Sequence, residues 1–260
     1  MRINHNNRSI IINDSQHQYS SDIKKYFDEY FDAIDTASNT LDFSIPKQFL
    51  LKEWGWKVWL PSFTESIKEL HKYLKYLNIK PNDIVIDAGG FAGITSMLFA
   101  NAVGKDGTVI TIEADPTNIQ CIKKNFEKYK SLYDYSPTLI EGALWDTDGL
   151  INFSAEGAMG SAAVEYVGVR GNNINVNTYS LTTIAKEYTT INHMKIDIEG
   201  AELRIFNDEK FFNQHHPSLV IECHFPNIAT SILKPKLESY GYTVKIVSQA
   251  GSPFEMIVAN

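Results

Sequence analysis

Val85-Ile86-Asp87-Ala88-Gly89-Gly90-Phe91-Ala92-Gly93 reads as a buried strand running straight into a glycine turn, and the apolar spacing from Thr95 to Ala102 reads as the helix that follows. Working outward, short apolar runs alternate with helical patterns. The runs are Ile84–Ile86, Val109–Ile112, Leu139–Ile140, Met194–Ile198 and Leu219–Ile221. After the second run, Asp115 can cap a helix with Pro116 at its first position and Ile119, Ile122, Phe126 and Tyr129 on one face. Such alternation implies β-α-β units around a mostly parallel sheet, the α/β class. Residues 150–180 interrupt it with strand-like pieces separated by glycines, read as an inserted hairpin region. The chain closes with a helix, a strand over Tyr242–Val247, the turn Gly251-Ser252-Pro253 and a strand over Phe254–Val258, an antiparallel pair at the sheet edge.

Before Asn78 the pattern differs. Residues 1–20 are polar and irregular, read as a loose leader or a short strand, and Ile23, Phe27, Tyr30 and Ile34 follow helical spacing. Residues 37–62 have no clear period but gather Phe43, Phe49, Trp54, Trp56 and Trp59. Ser62-Phe63-Thr64-Glu65 has the capping-box spacing and opens a helix through Ile67, Leu70, Leu74 and Leu77. The expectation is a small N-terminal helical appendage over residues 1–78, placed to act as a lid, and one main domain over 79–260.

The chain has 260 residues, 43% of them hydrophobic, enough for one large α/β domain with an appendage. Its 24 Lys+Arg against 31 Asp+Glu give a net charge of −7, which argues against nucleic acid as the main partner. No stretch approaches the ~20 apolar residues of a bilayer span. A polar start without a signal region, and two cysteines without paired spacing, point to a cytoplasmic protein with Cys121 and Cys223 reduced.

Glycines let the backbone pass close beneath a ligand, and N–H groups at a helix start attract negative charge. The spacing here is Asp-x-Gly-x-x-x-Gly, not the Gly-x-Gly-x-x-Gly that grips a dinucleotide pyrophosphate. With Asp87 at the strand end, the turn offers a carboxylate beside amides and suits a ligand carrying both an amino and a carboxylate group, as S-adenosylmethionine does. Glu113 ends the next strand 24 residues after Gly89, close to the ~20 expected of a carboxylate that binds ribose hydroxyls.

These pieces resemble the class I S-adenosylmethionine-dependent methyltransferases and, within them, the FkbM-type group. Further support comes from Gly93 with Thr95, Ala143-Leu144-Trp145-Asp146 followed by Gly149, Val220-Ile221-Glu222-Cys223-His224 and, most specific, Met194-Lys195-Ile196-Asp197-Ile198-Glu199-Gly200-Ala201-Glu202. The match runs from about Asp83 to Phe225. The family commonly carries Asn where this chain has Phe91, and its usual Thr-Leu-Asp-Asp stretch stands here as Tyr179-Ser180-Leu181-Thr182. The resemblance implies a Rossmann-like, mostly parallel seven-stranded sheet with an antiparallel C-terminal strand pair. It also implies S-adenosyl-L-methionine as cofactor, S-adenosyl-L-homocysteine as product, and methyl transfer to an oxygen of a sugar, glycan precursor or natural product. On that basis Asp87, Gly89, Phe91 and Gly93 line the methionine part, Glu113 the ribose and segment 141–145, with Glu141, Ala143 and Leu144, the adenine. Gly90, Thr95, Ala114, Asp115 and Asp197 lie beside them.

Asp197, Glu199, Glu222 and His224 fall at neighbouring strand ends, where open α/β sheets bind ligands, and should border the acceptor hydroxyl. Proton removal from that hydroxyl falls to Asp197, Glu222 or His224. His224 reads equally as a core histidine, Lys195 as a sheet-edge charge or a partner of Glu199, and Glu202 as a first-turn residue favoured by the helix dipole. Metal-free base catalysis is expected over a divalent cation on Asp197, Glu199 and Glu222, and His215-His216 reads as a loop pair without zinc spacing. The acceptor is expected to be a small molecule or saccharide; the sequence leaves homo-oligomerisation open. The rivals are a nicotinamide-dependent oxidoreductase and a non-catalytic nucleoside-binding module.

Overall fold

The structure is a computed structural model that describes residues 2–5, 8–11, 31–33, 40–43, 45–62, 64, 67–225, 227–248 and 255–260. Strands β1 (Arg2–His5), β2 (Arg8–Ile11), β3 (Phe31–Ala33), β4 (Thr40–Asp42), β5 (Lys47–Leu51) and β6 (Trp56–Leu60) precede helix α1 (Ile67–Leu77). They form two three-stranded sheets, ordered β2-β1-β4 and β3-β5-β6. The expected helical appendage is therefore corrected: Phe31–Ala33, inside the helical pattern, pairs antiparallel with β5, while Ile23, Phe27 and Tyr30 lie outside the described residues. In β6 the inward positions Trp56, Val58 and Leu60 alternate with exposed Lys57, a period of two obscured by the extra aromatics. The proposed capping residues Phe63 and Glu65 also lie outside the described residues, but α1 forms and buries Ile67, Leu70, Tyr73 and Leu77.

The main sheet contains β7 (Ile84–Ala88), β8 (Thr108–Glu113), β9 (Thr138–Glu141), β14 (His193–Ile196), β15 (Ser218–Cys223), β16 (Val244–Ser248) and β17 (Glu255–Ala259). Their order is β16-β17-β15-β14-β7-β8-β9. Only β17 runs antiparallel to its neighbours, slotted between β15 and β16. The turn expected over Gly251-Ser252-Pro253 lies outside the described residues. Helices α2 (Ile94–Val103) and α3 (Pro116–Tyr133) follow β7 and β8 as expected, and α3 starts with Pro116 in its first turn and the Asp115 carboxylate accepting from the Thr117 and Asn118 amides. One sheet face, with Val85, Val109 and Val220, packs with α1, α2, α3 and the β5–β6 hairpin. The other, with Ile86, Ile110, Met194 and Ile221, packs with the later helices. Both faces are covered, which is why the parallel strands read as continuous apolar runs.

The aromatics of 43–60 belong to the first of these cores: Phe43, Phe49 and Trp56 are buried in it. Asn125 of α3, itself buried, fastens the hairpin. It accepts from the Trp59 amide at 2.7 Å and donates to the carbonyls of Trp59 at 2.9 Å and Ala92 at 2.8 Å. The inserted region forms a separate sheet, β10 (Ala143–Leu144), β11 (Gly149–Ala155), β12 (Ala162–Ala163) and β13 (Asn172–Tyr179), ordered β10-β13-β11-β12. Within it, Val164–Val167 is a helical turn (α4) rather than strand. Helices α5 (Leu181–Ala185), α6 (Glu202–Ile205) and α7 (Glu209–His215) flank β14, and a π-helical turn (Ala229–Leu233) runs into α8 (Lys234–Ser239). His215 ends α7, buried, its Nδ1 accepting from the Ile191 amide, so it is not the loop residue expected. Among the described residues no helix is long and apolar enough to cross a membrane.

At the centre of the sheet, Lys195 of β14 sits in register with Asp87 of β7 and is only 3% exposed. It is not at a sheet edge. Its ammonium donates to the Gly89 carbonyl at 2.8 Å and lies 3.2 Å from Asp197 and 3.5 Å from Asp87. Removing one partner of a buried ion pair costs about 3–5 kcal/mol, because the remaining charge is stranded. Lys195→Met should lower unfolding stability by about that amount in urea titration at neutral pH, with partial recovery in Lys195→Met/Asp87→Asn. A loss under about 1 kcal/mol, the level of an exposed pair, would overturn this account.

Candidate active site

A cavity opens over the C-terminal ends of β7, β8 and β14. It lies where the strand order departs in opposite directions from β7, the usual crevice of an open α/β sheet. Of the residues singled out from sequence, Gly89, Gly90, Phe91, Thr95, Glu113, Ala114, Ala143, Leu144, Asp197 and Glu199 line it. Asp87, Gly93, Asp115, Glu141, Glu222 and His224 do not.

Each of these absences has a structural cause. Asp87 is fully buried, accepting from the Ser96 hydroxyl at 2.5 Å and facing Lys195, so it braces the turn from below. Burial pushes its carboxyl up, against Lys195 and Ser96. Gly93 is the N-cap of α2. Asp115, besides capping α3, accepts at its other oxygen from the Gly157 amide and the Ser161 hydroxyl, both at 2.7 Å. Glu141 points to the surface and pairs with Lys123 at 2.7 Å. Glu222 accepts a 3.5 Å contact from the Tyr73 hydroxyl of α1.

The turn itself is tightly made. Gly89 has φ +81°, and a Cβ there would stand 1.8 Å from the Asp197 carbonyl oxygen, so glycine is required twice over. The amides of Gly89 and Gly90 share the Ile112 carbonyl, and the Gly93 amide bonds to Gly90. The Phe91 amide donates to Glu113 Oε2 at 2.7 Å. Several amides that the sequence offered to a ligand are thus spent on the turn, while the start of α2 carries no side-chain cap. Phe91 holds φ 48°, a region where bulky residues are outliers.

Glu113 accepts three backbone amides: Phe91, Ala114 at 2.9 Å and Asp115 at 2.8 Å. Burial nevertheless pushes its carboxyl up to about 7, opposed by those amides. It both locks the turn to β8 and presents an acidic group to the cavity.

Opposite lies a cluster of four ionisable groups. His224, just past β15, has Nδ1 2.6 Å from Glu202 Oε1 and Nε2 3.3 Å from Asp197 and 3.6 Å from Glu199. Burial disfavours its charged ring, but hydrogen bonds to Asp197 and Glu202 overcome this and raise its pKa well above the ordinary value. Asp197 is held well below the carboxylate range: burial acts against this, and Lys195 and His224 outweigh it. Glu199, at φ 51° in the turn after β14, goes the other way. Burial and the nearby carboxylates of Asp197, Glu202 and Glu222 push it up to about 7, despite His224. The ligand atoms of Asp197, Glu199 and His224 lie within 4.8 Å of one another.

Sequence reasoning missed the weight of Lys195 and Glu202. Both sit inside the Lys195–Glu202 run, but only the strand pairing reveals that Glu202, fully buried, orients His224.

Comparisons with known proteins bear on this geometry. The model of the methyltransferase FkbM domain matches residues 87–244. Among solved structures, a methyltransferase FkbM from Methylobacillus flagellatus superposes with a TM-score of 0.52 at 16% identity, covering 74% of this chain and 50% of that one. A precorrin-6Y C5,15-methyltransferase from Geobacter metallireducens gives 0.50 at 14% identity, covering 76% and 89%. Among curated proteins nothing matches the chain. With the domain match spanning more than half of its length, starting at the acid of the glycine turn and running past the Asp197–His224 cluster, the chain belongs to the FkbM methyltransferase family, whose methyl donor is S-adenosyl-L-methionine.

Proposed function

We propose that this chain transfers a methyl group to a hydroxyl oxygen of a saccharide, glycan precursor or other small molecule, with Glu199 as the base. The observation that carries the reading is a carboxyl raised to about 7 in the same cavity as the glycine turn and Glu113. When bound, S-adenosylmethionine supplies the activated methyl group. The residues present fit it: a glycine turn beside an uncapped helix start for its charged end, Glu113 for ribose hydroxyls, and the apolar walls of Ala143 and Leu144 for its base.

The chain's own work is to place the acceptor and take its proton. Asp197, held ionised by Lys195 and His224, is a weak base and is better suited to receiving a hydrogen bond or fixing His224. His224 already carries its proton. Glu222 lies outside the cavity lining. Glu199 combines access, at 23% side-chain exposure, with a pKa near working pH, the condition for efficient proton removal. The division of the chain at residues 78 and 79 enters the same proposal: the earlier segment contributes Thr64 and Leu70 to the cavity wall, a boundary for the acceptor.

A carboxyl raised to about 7 is protonated below that pH and ionised above it. Methylation of hydroxyl acceptors, read by mass spectrometry across a saccharide and natural-product panel, should therefore rise with pH through about 7. Glu199→Gln should lose about 100-fold or more in kcat/KM together with that limb, the scale of a general base. Methyl transfer only to amine or carbon acceptors, or an unchanged pH profile in the variant, would overturn the reading. In calorimetric titration the protein should bind S-adenosylmethionine and S-adenosylhomocysteine but not NADH. Glu113→Ala, checked for folding by circular dichroism, should weaken binding at least about tenfold, the loss of one charged hydrogen bond. Binding of NADH in place of the other two would favour the oxidoreductase alternative.

A further inference from the structure

Trp145 follows β10, where its amide donates to the Tyr179 carbonyl of β13 at 2.9 Å, and it lines the cavity while only 7% exposed. Its ring is braced. The Arg204 guanidinium lies over it at 5.5 Å, and Tyr166 stands against it with ring centroids 6.0 Å apart. Arg204 is held in turn, donating to the Tyr166 hydroxyl at 3.2 Å and to Glu165 at 3.0 Å. The indole carries one polar group, the Nε1–H, which donates and never accepts. It has no hydrogen-bond partner among the described residues, and it is not one of their polar atoms that are both unpartnered and sealed from solvent. The donor therefore keeps a way out of the core, and the cavity is where this residue opens. A Trp N–H on a nearly buried ring ordinarily finds a partner, so this one is left for whatever occupies the cavity.

Its neighbours say which occupant. Ile198 and Ala201, which pack with the indole, bracket Glu199 and Gly200 in the turn after β14, so the N–H belongs to the same wall as the base. The cavity presents the carboxyls of Glu113, Asp197 and Glu199 beside the Lys195 ammonium, which is engaged with Gly89, Asp87 and Asp197. His224 is not part of the lining. An anionic group on the acceptor would meet like charge there, so the oxygen that suits Trp145 is neutral, a hydroxyl or an ether. It is also a different oxygen from the one methylated. A donor on the attacking oxygen would tie up the lone pair that must reach the methyl carbon, so the bond is productive only to a second oxygen of the same molecule.

We propose that Trp145 selects the acceptor class: its Nε1–H donates to a second, neutral oxygen of an acceptor whose hydroxyl gives its proton to Glu199, which favours polyhydroxylated, saccharide-like acceptors over singly hydroxylated ones. The inference rests on the reading of Glu199 as base for a hydroxyl acceptor, and adds to it a substrate class and the group that recognises it. The oxygen–carbon bond forms as the carbon–sulfur bond of the methyl donor breaks, and the hydroxyl proton goes to Glu199. Trp145 gives up nothing; it holds the acceptor in place through one directed bond.

The test compares methylation by the full chain, read by mass spectrometry, of polyols and singly hydroxylated counterparts. The polyols are the methyl pyranosides of glucose, mannose, galactose and rhamnose, myo-inositol and trans-cyclohexane-1,2-diol; the counterparts are cyclohexanol and cyclohexylmethanol. Per hydroxyl, the wild type should favour its best polyol over its best counterpart by about tenfold or more in kcat/KM, the effect of one hydrogen bond. Trp145→Phe keeps an aromatic ring and loses the N–H. It should bring that ratio to within about threefold by raising the KM of the polyol, with kcat falling by less than about threefold, the signature of lost acceptor binding. Its affinity for S-adenosylhomocysteine in calorimetric titration should stay within about threefold of the wild type, since no bond to the methyl donor is removed. Trp145→Leu serves if the phenylalanine variant does not fold by circular dichroism. A wild type without preference, an undiminished ratio in a folded variant, or a loss of about tenfold in S-adenosylhomocysteine affinity, which would put the N–H on the methyl donor, would overturn the role of Trp145 and leave the hydroxyl reading intact. Absence of methylation on every compound of both classes would instead overturn that reading, and this inference with it.

Discussion

A single buried ammonium holds the active centre together. Lys195 reaches from β14 to the carbonyl of Gly89 and to the carboxylates of Asp87 and Asp197, so it joins the two strands between which the sheet changes direction. The cavity lies over the ends of those paired strands, where the strand order departs in opposite directions, and the ion spans them. Isolated charges are not tolerated in such a place; here two acids and a carbonyl share one cation, with Ser96 and Thr111 extending the network beneath the turn. The close approach of Gly89 to Asp197 is the geometric side of the same constraint, since any larger residue would push apart what the ion draws together.

The same cation sets the chemistry two residues further on, at Asp197. Lys195 and His224 hold Asp197 ionised, and its fixed negative charge, with Glu202 behind it, keeps the imidazole protonated. Glu199 also faces His224, but burial, with the like charge of the nearby carboxylates, outweighs that attraction. Two carboxyls that would titrate similarly in water, Asp197 and Glu199, are thus driven apart, and such divergence is the usual way a fold assigns acid and base roles. A second acidic group near neutrality, Glu113, arises across the cavity by burial with help from the Asp115 charge, although three amides oppose it.

How much of this was legible in the sequence depends on how local each feature is. The strand–glycine–helix order at Val85–Gly93, the Asp115-Pro116 helix start and the face Ile119, Ile122, Phe126, Tyr129 are encoded within a few residues, and all take the expected form. The N-terminal region does not. Its strands pair over distance, and Trp59 and Trp54 beside inward Trp56 blur the alternation that would have revealed β6. At the site, the residue types were visible but their partners were not. Nothing in one dimension tells that Lys195 faces Asp87, that Glu202 orients His224 or that Glu141 turns outward to Lys123, because each follows from register between elements far apart in the chain.

Asn125 ties the backbone of Trp59 to that of Ala92, joining an outlying hairpin to the glycine turn through one amide side chain. The hairpin is thereby fastened to the turn: displacing one loads the hydrogen bonds to the other. A swap of this N-terminal segment for another would have to supply a backbone in register with Asn125, so the segment and the helix behind the turn are matched parts even though 66 residues separate Trp59 from Asn125.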